Sequence, residues 1–194
     1  MDPALALSTG LDAVSHAMEA VWNRRHTPVS DAAARVSLEM LVPALRTRFK
    51  AGDVDAAGRR QIGALYAGLA IGATRTALAH SISYPLTGRF GVPHGLACGF
   101  TLGEVARFNL REDPERLRMM ADAFDCSLRR LPDTMNRWLR RLGVGKHVLP
   151  LVKGAKIADL AHEFINPARA GNNLRSATPD DAVRIVRRSL EALI

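Results

Sequence analysis

The apolar residues of this 194-residue chain recur at steps of three and four, the spacing of one face of an α-helix. The clearest such stripe is Val183, Val186, Leu190 and Leu193. It follows the segment Thr178–Asp181, which offers an N-cap, a proline and two acidic residues in the first turn. No convincing stretch alternates apolar and polar residues as a half-buried strand would. We therefore predict an all-α fold.

The same spacing predicts further helices with recognisable ends. One carries Met135, Trp138 and Leu142 and stops at Gly143, because glycine readily adopts the left-handed conformation that ends helices. A long helical pattern with recurring glycines runs from Ala56 to about Tyr84. Since glycine costs stability inside a helix, its recurrence suggests that another helix packs closely there.

Another predicted helix begins near the N-terminus of the chain. Ser30 is the expected cap, Val36, Met40 and Phe49 the expected apolar face, and Pro43 the position of a kink. Residues 88–93, 111–114, 143–145 and 166–178 are the expected turns, by their glycine, proline and polar content.

Composition limits the classes of function. The formal net charge is +8, but the arginines are spread over several helices without a basic arm, so solvated faces are favoured over nucleic-acid binding. The two cysteines, Cys98 and Cys126, are too few for a disulfide framework, and Cys98 is expected to pack as a small apolar side chain. The longest apolar run, Ile62–Ala73, is too short to cross a bilayer. We expect a cytoplasmic protein without a signal peptide, nucleic-acid partner or membrane partner.

Asp12 and His16 form the first candidate pair for chemistry. They are four residues apart, so on a helix they lie one turn apart on the same face. A carboxylate oxygen and an imidazole nitrogen at this spacing can bind one ion. Alone, such a pair is more often a surface pair or an acidic residue near a helix N-terminus.

His80 and His94 form the second candidate pair. His80 closes the long apolar helical pattern, where a structural histidine is an equally good interpretation. His94 follows a proline and precedes a glycine, which indicates a junction between a loop and a helix. One carboxylate and three imidazoles suit Fe²⁺ or Zn²⁺, whereas Mg²⁺ and Ca²⁺ prefer oxygen ligands. The other histidines, His26, His147 and His162, are interpreted as surface or structural residues.

Three stretches together resemble the iron-containing (group III) alcohol dehydrogenase family. They are the segment Thr9–Glu19, the segment around His80, and Pro93-His94-Gly95. They occur in the family's order and at its spacing, with His80 and His94 fourteen positions apart. The resemblance covers essentially the whole chain, including the segment Asn172–Arg175 before the last predicted helix.

This resemblance implies a multi-helix bundle of the type shared by dehydroquinate synthase-like proteins and the C-terminal domains of iron alcohol dehydrogenases. One helical domain would span residues 1–194. The resemblance also implies that Asp12, His16, His80 and His94 bind one divalent ion, Fe²⁺ in the first place and Zn²⁺ as the alternative. In the family this ion polarises an alcohol or carbonyl oxygen, and NAD(P) exchanges a hydride with the neighbouring carbon.

The sequence departs from the family in two ways. Many members have a second histidine one helical turn after the ligand matched by His80, and here that position is Tyr84. Tyr84 is our candidate catalytic residue, with a packed aromatic beside Pro85 as the equal alternative. Members also begin with an α/β domain whose glycine-rich loop binds the dinucleotide, and this chain contains no such loop. We therefore expect the chain alone to bind metal but not to turn over substrate.

The substrate is less closely constrained. The segments 80–87 and 90–95 resemble members that reduce phosphonoacetaldehyde-type aldehydes, and maleylacetate reductases are similar here. Arg75 and Arg89 are candidates for binding a phosphonate or carboxylate, with surface arginines as the alternative. A glycerol dehydrogenase-like or dehydroquinate synthase-like half-enzyme and a non-catalytic helical interaction module remain alternative functions. We expect a homo-oligomer, because a helical half without its partner domain exposes apolar surface.

Overall fold

The computed structural model describes residues 2–45 and 54–194. Throughout these two ranges the regular structure is helical, and the two bridged residues Asn23 and Asn173 are not part of a strand, which confirms the all-α prediction. The α-helices are α1 (Pro3–Val21), α2 (Pro28–Ala44), α3 (Val54–Thr74), α4 (Leu78–Phe90), α5 (His94–Gly99), α6 (Leu102–Asn109), α7 (Arg118–Ala123), α8 (Leu131–Arg141), α9 (Val144–Val148), α10 (Pro167–Ala170) and α11 (Pro179–Ala192). Short 3₁₀ helices lie at Glu115–Leu117, Leu128–Arg130 and Ile157–Leu160.

Helix α1 lies at the centre of the half of the molecule that contains the site. It packs against α2, α3, α4 and α5. Leu11, Val14 and Met18 are completely buried on it, together with the following Trp22. Burying an apolar side chain of this size stabilises the folded state by about 1.5–3 kcal/mol. The packing therefore fixes where the polar residues of α1 point.

The ends of the helices follow local chemistry. Thr178 caps α11 and forms a reciprocal capping box with Asp181, and Gly143 ends α8 with a φ of 77°, so both predictions are confirmed. The prediction of Ser30 as a cap is wrong. Thr27 caps α2 instead, and Ser30 completes its capping box three residues later, because Pro28 takes the favoured first position of the helix. The predicted role of Phe49 lies outside the described residues.

The long helical pattern from Ala56 to Tyr84 is two helices, not one. The chain bends by 106° between α3 and α4. At the bend, Arg75 has a φ of 86°, a left-handed conformation that stops the helix. Asn23 stabilises this conformation, because its side-chain Nδ2–H donates to the Arg75 carbonyl over 2.8 Å. The pattern missed the break because no proline or glycine marks it.

Smaller differences concern the turns and the exposed surface. Gly88 and Arg89 belong to α4, and the segment 166–178 includes the one-turn helix α10. Within the described ranges no single helix has the length and apolarity needed to cross a membrane; α3 and α4 meet that test only as a bent pair. On α3, Leu65 and Leu69 are more than half exposed. They leave an apolar stripe on the surface, and the predicted homo-oligomer stays a prediction.

Candidate metal centre

Asp12 and His16 lie one turn apart on α1, as their spacing predicted. The His16 Nε2 atom is 3.8 Å from Asp12 Oδ1, and each side chain is between a quarter and a third exposed. Around them, Leu11 and Val14 are fully buried. The apolar face of α1 thus sets the direction of these two polar side chains, which line one edge of the core.

His80 and His94 meet the same carboxylate oxygen from two other helices. His80, in the first turn of α4, places Nε2 3.5 Å from Asp12 Oδ1. His94 is the first residue of α5, at the predicted junction of loop and helix, and its Nε2 is 3.8 Å from the same oxygen. The His80 ring stacks on His16 with centroids 4.8 Å apart and meets His94 edge-on at 5.4 Å.

The three distances from Asp12 Oδ1, 3.5–3.8 Å, are close to the spacing of ligand atoms around one ion. Ligand atoms about 2.1 Å from a tetrahedral ion are about 3.4 Å from each other. Asp12 Oδ1 and His80 Nε2 are buried, and neither has a hydrogen-bond partner in the described part of the chain. Buried polar atoms are rarely left unpaired, so a cation between them is the natural partner. Three nitrogens and one carboxylate oxygen suit Fe²⁺ or Zn²⁺.

Cys98 is a further donor at the site that the sequence interpretation missed. It lies one turn after His94 on α5, is fully buried, and places Sγ 3.7 Å from His94 Nε2. Asp12, His80, His94 and Cys98 offer donor atoms that all lie within 4.8 Å of one another. The spacing of four residues between His94 and Cys98 was the available signal. Cys98 is thus buried as predicted, and it also places a thiol next to the candidate ligands.

Glu19 is the second residue whose role the sequence interpretation missed. It is completely buried on α1, two turns after Asp12. Its Oε2 accepts hydrogen bonds from His80 Nδ1–H and from the Ala77 backbone N–H, both over 2.7 Å. Its Oε1 accepts from the His80 backbone N–H over 3.1 Å. Because Nδ1 donates to a carboxylate, the lone pair of His80 Nε2 is directed at the site, as in metal-binding histidines generally.

The charges at the site oppose the effect of burial. Burial raises the pKa of Asp12, but the neighbouring histidines, His80 above all, lower it below its usual value. Burial likewise raises the pKa of Glu19, and His80 with two backbone N–H groups reverses that effect. For His80, burial lowers the pKa, while Glu19 and Asp12 raise it well above its ordinary range. In His16, burial prevails and lowers the pKa.

Close packing between α1 and α5 brings the ligands together. A Cβ atom at Gly95 would lie 1.9 Å from the Ser8 carbonyl oxygen and 2.9 Å from Asp12 Cβ. One turn later, a Cβ at Gly99 would lie 2.9 Å from Leu11 Cβ. Only glycine allows the two backbones to approach this closely. His94 and Asp12 reach each other because of this approach.

The other predicted site residues, Tyr84, Arg75 and Arg89, lie in three different surroundings. Tyr84 is 44% exposed, and its ring centroid is 5.7 Å from that of His94. Arg75 is an exposed residue at the break between α3 and α4. Arg89 forms a two-pronged ion pair with Glu163, with N···O distances of 2.8 and 2.6 Å. Arg169, which the sequence interpretation did not select, places its guanidinium carbon 4.3 Å from the centroid of the Tyr84 ring.

The all-α structure brings three imidazoles and one carboxylate together in an arrangement that could hold a metal ion. Residues 6–190 match the family described as "Fe-containing alcohol dehydrogenase family, C-terminal". This chain belongs to that family. The family match rests on the sequence of residues 6–190. It does not depend on the geometry of Asp12, His16, His80 and His94 in the structure.

Several known proteins are similar to this chain. The 1,3-propanediol dehydrogenase of Klebsiella pneumoniae is 27% identical over 96% of this chain and 51% of its own length. The phosphonoacetaldehyde reductase of Streptomyces viridochromogenes is 42% identical over 54% of this chain and 27% of its own. The structure of sulfoacetaldehyde reductase from Bifidobacterium kashiwanohense in complex with NAD⁺ is 27% identical, with a TM-score of 0.84 over 98% of this chain and 51% of that one. The chain thus spans about half the length of relatives that match it throughout.

Proposed function

We propose that this chain is the metal-binding catalytic half of an NAD(P)-dependent dehydrogenase that interconverts an alcohol and an aldehyde by hydride transfer. The observation that supports this most is the position of three imidazole Nε2 atoms, of His16, His80 and His94. All three lie 3.5–3.8 Å from one Asp12 oxygen. Family membership supplies the class of reaction.

In this function, four residues bind the ion and a fifth orients one of them. A bound Fe²⁺ or Zn²⁺ supplies Lewis-acid polarisation of the substrate oxygen, which stabilises the charge that develops when a hydride is exchanged. Asp12, His16, His80 and His94 hold the ion. Glu19 holds the His80 ring in the orientation that directs Nε2 to the ion.

The open side of the site is where substrate and cofactor would approach. His94 is 40% exposed there, whereas His80 is almost completely buried beneath it. Tyr84 is our candidate for orienting the substrate oxygen or passing a proton, since its ring adjoins His94 on this side. By the resemblance, an α/β domain binds the nicotinamide cofactor, so we expect turnover only when that domain is present.

For the substrate, we propose a small aldehyde or alcohol that carries an acidic group. The names of two relatives support this: a phosphonoacetaldehyde reductase and a sulfoacetaldehyde reductase each act on an acetaldehyde with an acidic substituent. The net charge of +8 favours an anionic ligand over a cationic one. A neutral diol, as named for the propanediol enzyme, is the competing class.

The metal content of the purified chain tests this function. We expect about one divalent ion per chain by inductively coupled plasma mass spectrometry. The double variant Asp12→Ala/His80→Ala removes two of four ligands and should lose the ion. His26→Ala is the matched control, because His26 is an exposed histidine that pairs with Asp31 and should leave the content unchanged. Equal metal content in the double variant and the wild type would show that the metal centre is wrong.

A further inference from the structure

The open side of the metal centre carries an arginine stacked on an aromatic ring. The Arg169 guanidinium carbon lies 4.3 Å from the Tyr84 ring centroid, within the range of a cation–π contact. The same ring adjoins His94, with centroids 5.7 Å apart. One aromatic ring therefore separates a permanent positive charge from a metal-binding imidazole.

The segment that carries Arg169 is held firmly against α4. Ser81, buried on α4, donates its hydroxyl to the Phe164 carbonyl over 2.6 Å and accepts the Asn166 backbone N–H over 2.8 Å. On the other side of α10, Asn172 Nδ2 donates to the Thr76 carbonyl over 2.9 Å. One anchor joins the segment to α4 and the other to the link between α3 and α4. The backbone around Arg169 is thus held by buried and partly buried hydrogen bonds.

Arg169 and Arg89 differ in whether a carboxylate already pairs with the guanidinium group. The Arg89 guanidinium is already engaged by both carboxylate oxygens of Glu163. Among the residues that the structure describes, no carboxylate forms an ion pair with Arg169. A guanidinium presents five N–H donors in a planar fork that suits two oxygens of one acidic group. Stacking on Tyr84 leaves the edge of this fork available.

We propose that Arg169, supported by the ring of Tyr84, binds the acidic group of the substrate while its oxygen-bearing carbon lies at the metal centre. This proposal rests on the proposed function and assigns its substrate class to one residue. The ligand is a compact oxyanion, such as a phosphonate or sulfonate, one or two carbons from the aldehyde or alcohol carbon. The ring of Tyr84 sets that separation. In this proposal Arg169, and not the earlier candidates Arg75 and Arg89, binds the acidic group.

The test compares an acidic and a neutral alcohol on the zinc-loaded chain. The probes are 2-hydroxyethylphosphonate and 1,3-propanediol, with dissociation constants obtained from ligand NMR titrations. We expect Arg169→Met to weaken binding of the phosphonate by about 10- to 100-fold, the worth of a hydrogen-bonded contact to a charged group. Binding of the diol should change less than about twofold, because it makes no such contact.

Two further variants sharpen the test. Arg169→Lys keeps the charge but loses the planar fork, so its loss of phosphonate affinity should be intermediate. Arg187→Met removes an exposed arginine on α11 and is the matched control, with neither affinity altered.

Three results would overturn the proposal: undiminished phosphonate binding by Arg169→Met, an equal loss of both probes, or a selective loss in Arg89→Met instead. If the wild type binds zinc but does not prefer the phosphonate, the subsite is wrong and the metal centre stands. If the wild type takes up no zinc, the proposed function itself fails.

Discussion

At the scale of single residues, the proposed metal centre makes Glu19 the residue that orients the His80 ring. Glu19→Gln keeps the shape of the side chain but removes its charge. The amide can no longer accept three hydrogen bonds. Its NH₂ group must face either the backbone N–H of His80 or the two donors Ala77 N–H and His80 Nδ1–H. Loss of such a partner typically weakens metal binding by about 10- to 100-fold. Competition with a chromophoric chelator measures this change.

Asn23→Ala is the control that separates positioning from simple destabilisation. Asn23 is also completely buried and donates to the Arg75 carbonyl at the junction of α3 and α4, but its side-chain hydrogen bonds involve none of the four candidate ligands. We expect Asn23→Ala to lower the melting temperature with less than about a threefold change in zinc affinity. If both variants reduced zinc affinity in proportion to their loss of stability, Glu19 would be a structural residue only.

The sequence predicted the four residues that come together at the site better than the residues that surround them. Asp12 and His16 share a helical face, and the segments around His80 and His94 resemble a known family, so all four could be selected without coordinates. Cys98 lay beside a selected residue but was interpreted as a packing residue. Arg169 could not have been found, because its position near Tyr84 depends on hydrogen bonds between segments about 85 positions apart in the chain.

At the scale of helices, the contact between α1 and α5 depends on the absence of a side chain at Gly95. Gly95→Ala would place a methyl group 1.9 Å from a backbone carbonyl of α1, which cannot move aside as a flexible side chain can. The helices must separate, and overpacking of this kind costs about 1–3 kcal/mol. The separation also moves His94 away from Asp12. We therefore expect both a lower melting temperature and weaker zinc binding.

Gly88→Ala is the matched control for this prediction. Gly88 lies inside α4, and a Cβ atom there would meet nothing within 4 Å. Replacing glycine by alanine inside a helix should stabilise the protein by about 0.5–1 kcal/mol, with zinc affinity unchanged. Chemical denaturation and the same chelator competition measure both variants. A Gly95→Ala protein with wild-type stability and affinity would contradict the proposed role of the close approach.

Local chemistry predicted the helices and their ends unevenly. The caps at Thr178 and Gly143 follow from rules that involve only neighbouring residues, and both were predicted. The break at Arg75 was not, since the left-handed conformation of this non-glycine residue is held by Asn23 from a distant part of the chain. Tertiary contacts overrode the helical pattern there.

At the scale of the whole molecule, the class of fold was the most secure prediction and the assembly of helices the least. Helical periodicity and the lack of alternation are properties of short windows, so they survive without knowledge of tertiary structure. The arrangement of α2, α3, α4 and α5 around α1 depends on side chains from all five helices. The family resemblance, not periodicity, supplied the type of helical bundle in advance.

The same assembly predicts that metal and stability are linked. The four proposed ligands come from α1, α4 and α5, so one ion would join three helices in addition to their apolar packing and the Glu19–His80 hydrogen bonds. An ion at about 100 times its dissociation constant stabilises the folded state by about 2.7 kcal/mol, since the unfolded chain has no preformed site. For a chain of this size, that corresponds to a melting temperature higher by about 5 to 10 °C.

Calorimetry before and after chelation, followed by addition of Zn²⁺, measures this difference. Chelation should lower the melting temperature, and Zn²⁺ should restore it. The Asp12→Ala/His80→Ala variant should melt at one temperature in all three conditions, because it cannot bind the ion that joins α1 to α4. If neither the chelator nor Zn²⁺ changed the melting temperature of the wild type, the three helices would be held together without an ion, and the four side chains would converge without binding a cation.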